Sequence, residues 1–266
     1  MRRNILAAAI IGAASCLTIA APAHAYLMFF GQDDNGSNTV PLAAHPLATG
    51  ARTSFLSSLV GVGTEDFEAH SGGAPLALTF PGAGSATLTG TGSIVSVPPG
   101  ATNGFGRYAT SGSKFWEATA GTTSSFSVDL STAIAAFGFF GIDIGDFDGQ
   151  LSLRLTKTDA TTEDIVVPHG TGGGTTGPQN GSVLYFGLIA EGAAEEFTKV
   201  EFVNTDVVGG DTDVFAFDDL TIGSLEQVCT PNCPQVPEPG PLALLGIAAA
   251  VGLLTLRRAN RQTTIG

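Results

Sequence analysis

Short segments in which apolar and polar residues alternate recur along most of this chain, and Gly, Pro, Asp or Asn turns separate them. This two-residue period is the pattern of half-buried β-strands, and long helical periodicities are almost absent. Strands this short and this closely spaced predict an all-β fold of two packed antiparallel sheets, a jelly-roll-like sandwich. The candidate strands are 76–80, 85–88, 94–97, 115–118, 125–130, 135–142, 150–156, 164–167, 183–189, 199–204 and 214–222.

One helix is expected beside these strands, at residues 52–60. Its apolar residues Phe55, Leu56 and Leu59 fall on one face, so that face should be buried. Thr53 or Ser54 is placed to cap its first turn.

The N-terminal residues 1–25 have the three parts of a secretory signal peptide. A basic start, Met1-Arg2-Arg3, precedes an apolar run at 5–20, which would form the signal helix. Ala23-His24-Ala25 is a small-x-small cleavage site, so the expected cut lies before Tyr26. This segment predicts export through the Sec translocon and cleavage by signal peptidase, which leaves a β-sandwich domain at residues 26–228.

The C-terminal residues 236–261 combine a Pro-rich turn, an apolar run and a basic end. The apolar run, 241–256, would span about 24 Å as a helix at ~1.5 Å per residue, a little less than a hydrocarbon core of roughly 30 Å. It is therefore expected to form a marginal transmembrane helix with the following arginines on the cytoplasmic side. On hydropathy alone, an ordinary C-terminal anchor is the alternative to a sorting signal.

The order of these parts resembles the PEP-CTERM sorting signal of exopolysaccharide-producing bacteria. The resemblance implies recognition by an exosortase, processing near the Pro-Glu-Pro, transient anchoring in the inner membrane, and then release or attachment at the cell surface or in the extracellular matrix. Segments 61–68, 137–149, 182–187 and 213–228 are also similar to a recurring group of uncharacterised PEP-CTERM proteins. The residues that carry the sorting motif are Val236, Pro237, Glu238, Pro239, Arg257 and Arg258.

The charge of the chain excludes one class of partner. Its 24 Asp and Glu outnumber its 11 Lys and Arg, which gives a formal net charge of −13. Nucleic-acid binding needs Lys and Arg to neutralise phosphates, so no nucleic acid is expected as a partner. The acidity suits an extracellular protein that is kept soluble by self-repulsion or that binds cations. Between Tyr26 and Gln235 the cationic residues are Arg52, Arg107, Lys114, Arg154, Lys157 and Lys199.

Two cysteines remain after removal of the signal peptide, Cys229 and Cys233. An exported chain is in an oxidising environment, and no partner Cys or His lies nearby to complete a zinc site. The pair is therefore expected to form a small local disulfide in a linker at residues 229–235. Because the closed loop is so short, its effect on the stability of the fold should be minor.

Two acidic groups are candidate Ca²⁺ sites. Asp143, Asp146 and Asp148 lie in a Gly-containing turn between two candidate strands, and carboxylates with backbone carbonyls supply the oxygens that Ca²⁺ prefers. Glu68 and Asp218 form the second candidate, because the first and last strands of jelly rolls are often neighbours. A structural calcium ion is thus the candidate cofactor, and the competing interpretation is that Asp146 and Asp148 cap a turn through side-chain-to-backbone hydrogen bonds.

Asp218 is followed directly by Asp219 at the end of the last candidate strand. Strand alternation would place these two side chains on opposite faces, so that one points inward or at an edge. A buried carboxylate needs a partner, and a bound cation would be one.

Aromatic residues gather in the stretch 103–117, and exposed aromatic faces stack on pyranose rings. Trp116 and Tyr108 are the candidate sugar-binding residues, with Phe105 and Phe115 beside them. Because Phe115 and Trp116 are consecutive in a candidate strand, one should face the core and the other the outside. Placement of Trp116 in the core is the alternative.

The sequence contains no G-x-S-x-G nucleophile elbow. His45, His70 and His169 lack metal-binding spacing and are expected in exposed loops. The favoured function is therefore a non-enzymatic surface or matrix protein associated with exopolysaccharide. The alternatives are a carbohydrate-active hydrolase that uses paired carboxylates and a surface adhesin that binds protein.

Overall fold

The computed structural model describes residues 26–122, 125–145, 148–172, 177–205 and 212–229, and within them the chain forms two antiparallel β-sheets, one α-helix and two short 3-10 helices. The 3-10 helices are Ala193–Glu195 and Leu225–Gln227. The remaining elements, in chain order, are β1 (Tyr26–Asp33), α1 (Pro46–Ser57), β2 (Gly63–Glu65), β3 (Leu76–Phe80), β4 (Gly84–Gly90), β5 (Gly92–Ser96), β6 (Lys114–Ala120), β7 (Phe126–Ile134), β8 (Ala136–Ile142), β9 (Gln150–Lys157), β10 (Thr162–Val166), β11 (Val183–Ala190), β12 (Phe197–Thr205) and β13 (Asp213–Gly223).

The first sheet has the strand order β1-β11-β8-β13-β6-β5, and β2 pairs with β13. The second sheet has the order β10-β9-β12-β7-β4-β3. Every predicted strand lies within or largely overlaps an observed one, so the predicted all-β, two-sheet antiparallel sandwich is confirmed. The two strands that the alternation did not predict are β1 and β2. The predicted signal helix and transmembrane helix lie outside the described residues, and no helix in the described ranges is long and apolar enough to cross a membrane.

The core between the two sheets is built from aromatic side chains. The Phe126 ring, from β7, packs 4.7 Å from that of Phe202, from β12. Across the sandwich, Phe126 also meets Trp116 and Phe217 of the first sheet. Each such side chain removes a large apolar area from water, worth roughly 2–3 kcal/mol apiece. These contacts hold the two sheets together.

A second apolar cluster covers the outer face of the first sheet. Ala48, Ala51 and Phe55 of α1 pack there with Tyr185, on β11. Phe55 can approach the sheet because β11 carries Gly187 at the contact, where a Cβ atom would lie only 2.6 Å from the Phe55 ring. The first sheet is therefore buried on both faces where α1 and its neighbouring loops cover it.

The helix begins six residues earlier than expected, at Pro46 rather than residue 52, so the predicted caps are wrong. The backbone N–H groups of Leu47 and Ala48 donate to the Asp33 carboxylate at 3.3 and 2.9 Å. Thr53 and Ser54 are interior residues whose hydroxyls donate to carbonyls one turn back. A carboxylate from the end of β1 thus caps the helix, which local sequence could not indicate.

The strand register defines two ends of the first sheet. At one end, which we call the chain-end pole, Tyr26 pairs with Ala190, and Ala136 pairs with both Ile189 and Gly223. At the other end, the loop pole, Val183 pairs with both Asp33 and Ile142. The described chain starts and stops at the chain-end pole, whereas the segments 34–45 and 97–113 meet towards the loop pole.

Candidate functional site

The candidate site is a cleft of about 220 Å³ between the segments 34–45 and 97–113. Its walls include Leu42, Pro98, Pro99 and Ala101, and none of the described residues that line it is Asp, Glu, Lys or Arg. In so acidic a chain, an uncharged cleft is an exception. It suits a neutral ligand that is recognised by apolar contacts and backbone hydrogen bonds.

Tyr108, a candidate sugar-binding residue from the sequence, lines this cleft as a buried support. Its hydroxyl donates to the Gly181 carbonyl at 2.9 Å and accepts from the Leu42 N–H at 3.1 Å. Burial raises the pKa of Tyr108 to about 12, so the hydroxyl stays neutral. The residue fixes the two walls relative to each other and leaves no exposed ring for stacking.

The exposed aromatic residue of this region is Phe105. Its side chain is 65% exposed, and its ring lies over the Arg107 guanidinium, 5.5 Å from ring centroid to Cζ. Asn103 accepts from the backbone N–H of both Phe105 and Arg107 through its Oδ1 atom, and Gly106 donates to the Asn38 carbonyl. Phe105 is therefore a presented aromatic face on a hydrogen-bonded loop, which the sequence did not single out.

Arg107 anchors that loop to the sheet. Its Nη1 atom donates to Asp143 at 3.1 Å and to the Val214 carbonyl at 3.0 Å, and its Nε donates to Glu117 at 2.8 Å. Asp143 is only 1% exposed and also accepts from the Gly181 N–H at 2.9 Å. The guanidinium is thus the counter-charge of a buried carboxylate. This role of Asp143 differs from the predicted cation ligand.

The remaining aspartates of the predicted calcium turn give no further support to that site. Asp148 is exposed and lies near Gly172, away from the contacts of Asp143, and Asp146 lies outside the described residues. In the part of the chain that the structure describes, no three His, Cys, Asp or Glu side chains come together to hold a metal ion. Calcium binding stays a prediction.

Glu68 and Asp218, the second candidate pair, bind neighbouring parts of one loop. Glu68 accepts hydrogen bonds from the backbone N–H groups of Ser113, at 2.6 Å, and Lys114. These two backbone hydrogen bonds hold the pKa of Glu68 below its usual range. Asp218 accepts from the Thr110 N–H at 2.7 Å and from the Thr110 hydroxyl at 2.8 Å. Both carboxylates therefore act as hydrogen-bond acceptors that fold the 110–114 loop onto the sheet.

Asp218 and Asp219 do not lie on opposite faces, because the register of β13 against β8 shifts between Asp218 and Thr221. Asp219 has a φ of +50° at this bulge, and its carboxylate accepts from the Ser111 hydroxyl. It also lies 3.4 Å from Arg52 of α1. Both side chains are buried, and burial together with the adjacent Asp219 raises the pKa of Asp218 to about 7. The carboxylate pair is covered and does not face a cleft.

Asp218 should make the domain less stable as the pH rises from about 4 to about 7. In this range the folded chain keeps a proton on Asp218 that the unfolded chain, with a pKa near 3.9, has lost. Buried His169, whose pKa burial lowers, acts in the opposite direction. The wild type must therefore be compared with Asp218→Asn by urea unfolding at about pH 4.5 and 7.5. The wild type should lose stability relative to the variant, and an unchanged difference would contradict the assignment.

The prediction that Trp116 is an exposed platform for sugar stacking is wrong, because its side chain is 0% exposed. Phe115 and Trp116 do point to opposite faces of the first sheet, as alternation predicts, but both faces are covered at this place. Trp116 lies between the sheets, whereas Phe115 lies in the outer cluster under α1 and its neighbouring loops. A strand period identifies the face of a side chain but not what packs on it.

The prediction that His169 lies in an exposed loop is also wrong. It is buried, and its Nε2 atom accepts from the Leu151 N–H at 2.9 Å. His45 lines the candidate cleft, and His70 is partly exposed beside Glu65 at 3.4 Å. Cys229 is disulfide-bonded, while Cys233 and the whole sorting motif lie outside the described residues.

No family model matches this chain, and no curated protein matches it. Among solved structures, the C-terminal family 22 carbohydrate-binding module of Clostridium thermocellum Xyn10B is 14% identical, with a TM-score of 0.36 over 64% of this chain and 97% of that module. A xylan-binding domain from CBM 22 is 15% identical, with a TM-score of 0.37 over 64% of this chain and 96% of that domain. The CBM22-1 xylan-binding domain from Paenibacillus barcinonensis Xyn10C is 10% identical, with a TM-score of 0.35 over 64% of this chain and 95% of that domain. Likeness at this level assigns neither a ligand nor a site to this chain.

Proposed function

We propose that this protein is an exported surface or matrix protein whose β-sandwich binds a neutral polysaccharide at Phe105 and the adjoining cleft. The observation that carries the proposal is the exposed Phe105 ring, held over the Arg107 guanidinium on a loop that also forms one wall of the cleft. An exposed aromatic face stacks on the apolar face of a sugar ring. The binding function rests on this presented ring.

The charges favour a neutral polymer. The formal net charge of −13 repels anionic polysaccharides at long range. Among the described residues that line the cleft, His45 is the one with a titratable imidazole, and none is Asp, Glu, Lys or Arg, so the cleft offers little attraction to an ionised ligand. Hydroxyl groups of a sugar can instead exchange hydrogen bonds with backbone groups of the Pro-rich wall.

Export is proposed from the sequence of the two chain ends. The Sec translocon and signal peptidase would act on residues 1–25, and an exosortase would recognise the tail around Glu238. This route would hold the protein briefly in the inner membrane and then deliver it to the cell surface or the exopolysaccharide matrix. A Ca²⁺ ion at the turn that carries Asp146 and Asp148 is part of this proposal.

The structure gives no support to the hydrolase alternative. Glycoside hydrolysis needs two carboxylates that face a substrate across a cleft. Glu163 and Glu195 come together, but both bind the Lys157 ammonium. Asp218 and Asp219, a second pair, lie beneath α1 and the 110–114 loop. A sugar could not reach them without displacing that loop.

Phe105→Ala should weaken polysaccharide binding by about tenfold, which corresponds to about 1.4 kcal/mol, because it removes the stacking face. Residues 26–235 would be run in native gels that contain the exopolysaccharide of the host, and migration would be compared across polymer concentrations. Leu47→Ala is the matched control, because Leu47 is equally exposed but lies on α1. Equal retardation of the two variants would place the ligand elsewhere, and no retardation of the wild type would remove the proposed function.

A further inference from the structure

Both ends of the described chain leave the domain at one place. Tyr26 begins β1. Cys229, the last described residue, donates its backbone N–H to the Ser58 carbonyl. Leu27 and Cys229 line the same cleft of about 290 Å³, whose other walls include Ile189, Val228 and Glu191. The two chain ends therefore emerge from a single surface, the chain-end pole.

Exposed apolar side chains surround these exits. Leu27 and Met28 follow directly on the start of β1, and Met28 is 57% exposed. Val60 is also exposed, and its N–H donates to the Gln227 carbonyl, two residues before Cys229. Leu27 and Met28 lie on opposite faces of β1, since Leu27 lines the cleft with Cys229 whereas Met28 lies beside Val166 of β10. Exposed apolar side chains therefore lie near the chain ends on both faces of this edge strand.

The lengths of the outgoing segments limit how far this pole can lie from a membrane. The predicted signal helix ends at residue 20, and β1 begins at Tyr26. While the N-terminus is uncut, the start of β1 can therefore lie at most roughly 20 Å from the end of that helix. Residues 230–240 separate Cys229 from the predicted membrane segment and reach at most roughly 40 Å at ~3.5 Å per residue. A disulfide in this linker would shorten it further.

We infer that the chain-end pole rests on the lipid surface while the protein is a membrane-anchored precursor, with Leu27, Met28 and Val60 in contact with the lipid. This inference rests on the proposed membrane segment at 241–256. The strand register then places the Phe105 loop towards the opposite pole, away from the membrane. The anchored precursor can thus bind polysaccharide before it is processed.

The test uses single-cysteine variants of the full chain, expressed without an exosortase, labelled with an environment-sensitive fluorophore and reconstituted in phosphatidylcholine vesicles. Uncharged vesicles suit this pole because the exposed Glu191 and Glu226 flank it. Met28→Cys and Val60→Cys report on the chain-end pole. Val40→Cys is the matched control, since Val40 is 61% exposed in the segment beside the cleft.

Nitroxide-labelled lipids should quench the labels at 28 and 60 and leave the label at 40 unquenched. Equal quenching at all three positions, or none at 28 and 60 in a chain that floats with the vesicles, would overturn the inference alone. A blue shift in the emission of the label at position 28 without quenching would mean that protein, and not lipid, covers this position. That result also overturns the inference. A chain that does not float with vesicles would instead refute the membrane segment, and with it the premise.

Discussion

Replacing Arg107 by alanine is expected to lower the free energy of unfolding by roughly 3–5 kcal/mol, because it leaves the buried Asp143 carboxylate without its guanidinium. This is a large part of the roughly 5–15 kcal/mol that holds a typical domain folded. The loss would be measured by urea unfolding of residues 26–235. Asp143 is 1% exposed and lies 3.1 Å from Arg107 Nη1, so water cannot readily replace the lost partner.

The control for this variant is Arg154→Ala. Arg154 also pairs with an aspartate, since its Nε atom lies 2.7 Å from Asp164, but both side chains are about half exposed. Exposed pairs contribute roughly 0–1 kcal/mol, so this variant should unfold almost as the wild type does. Similar losses in the two variants would show that burial of the Arg107 pair does not matter as argued.

Replacing Glu238 by alanine is expected to leave the protein in the inner membrane as an unprocessed precursor. The reason is taken from the sequence alone: a proline on each side of Glu238 restricts its backbone, so the Pro-Glu-Pro would offer a processing enzyme one charged group in a restricted setting. Removing the charge takes away what a processing enzyme could recognise. Membrane fractionation of the host, with the apparent mass read from an immunoblot, measures the effect.

Glu226→Ala is the matched control for the sorting variant. Glu226 is an exposed carboxylate 12 residues upstream of Glu238, in the 3-10 helix Leu225–Gln227. Its loss should leave processing and localisation unchanged. If Glu238→Ala is also processed and localised as the wild type is, the tail is an ordinary anchor rather than an exosortase signal.

The strands were predictable because a two-residue period survives in most of them. β1 was not, since Tyr26–Phe30 is an apolar run that follows directly on the apolar signal peptide. β2 has only three residues and owes its extended form to pairing with β13. The start of α1 depended on Asp33, a cap supplied from another element. These features arise from contacts distant in sequence.

The candidate site was only partly predictable for the same reason. The stretch 103–117 was correctly singled out as aromatic, and Tyr108 does line a cleft. Yet the sequence favoured Trp116 over Phe105, because period alone cannot show that α1 and its neighbouring loops cover the outer face of the first sheet. A signal was present in Gly104-Phe105-Gly106-Arg107. The two glycines that flank Phe105 indicate a turn, and turns lie at the protein surface.

The most direct test of the proposed binding site is a heteronuclear NMR titration of residues 26–235 with oligosaccharides prepared from the exopolysaccharide of the host. The backbone amides of Ala101, Phe105 and Arg107, together with that of Leu42 across the cleft, should shift most, and the same titration of Phe105→Ala should leave them nearly unmoved. Shifts confined to other surfaces, such as the outer edges of β1 and β10, would contradict the site. The absence of any shift with every such oligosaccharide would contradict polysaccharide binding itself.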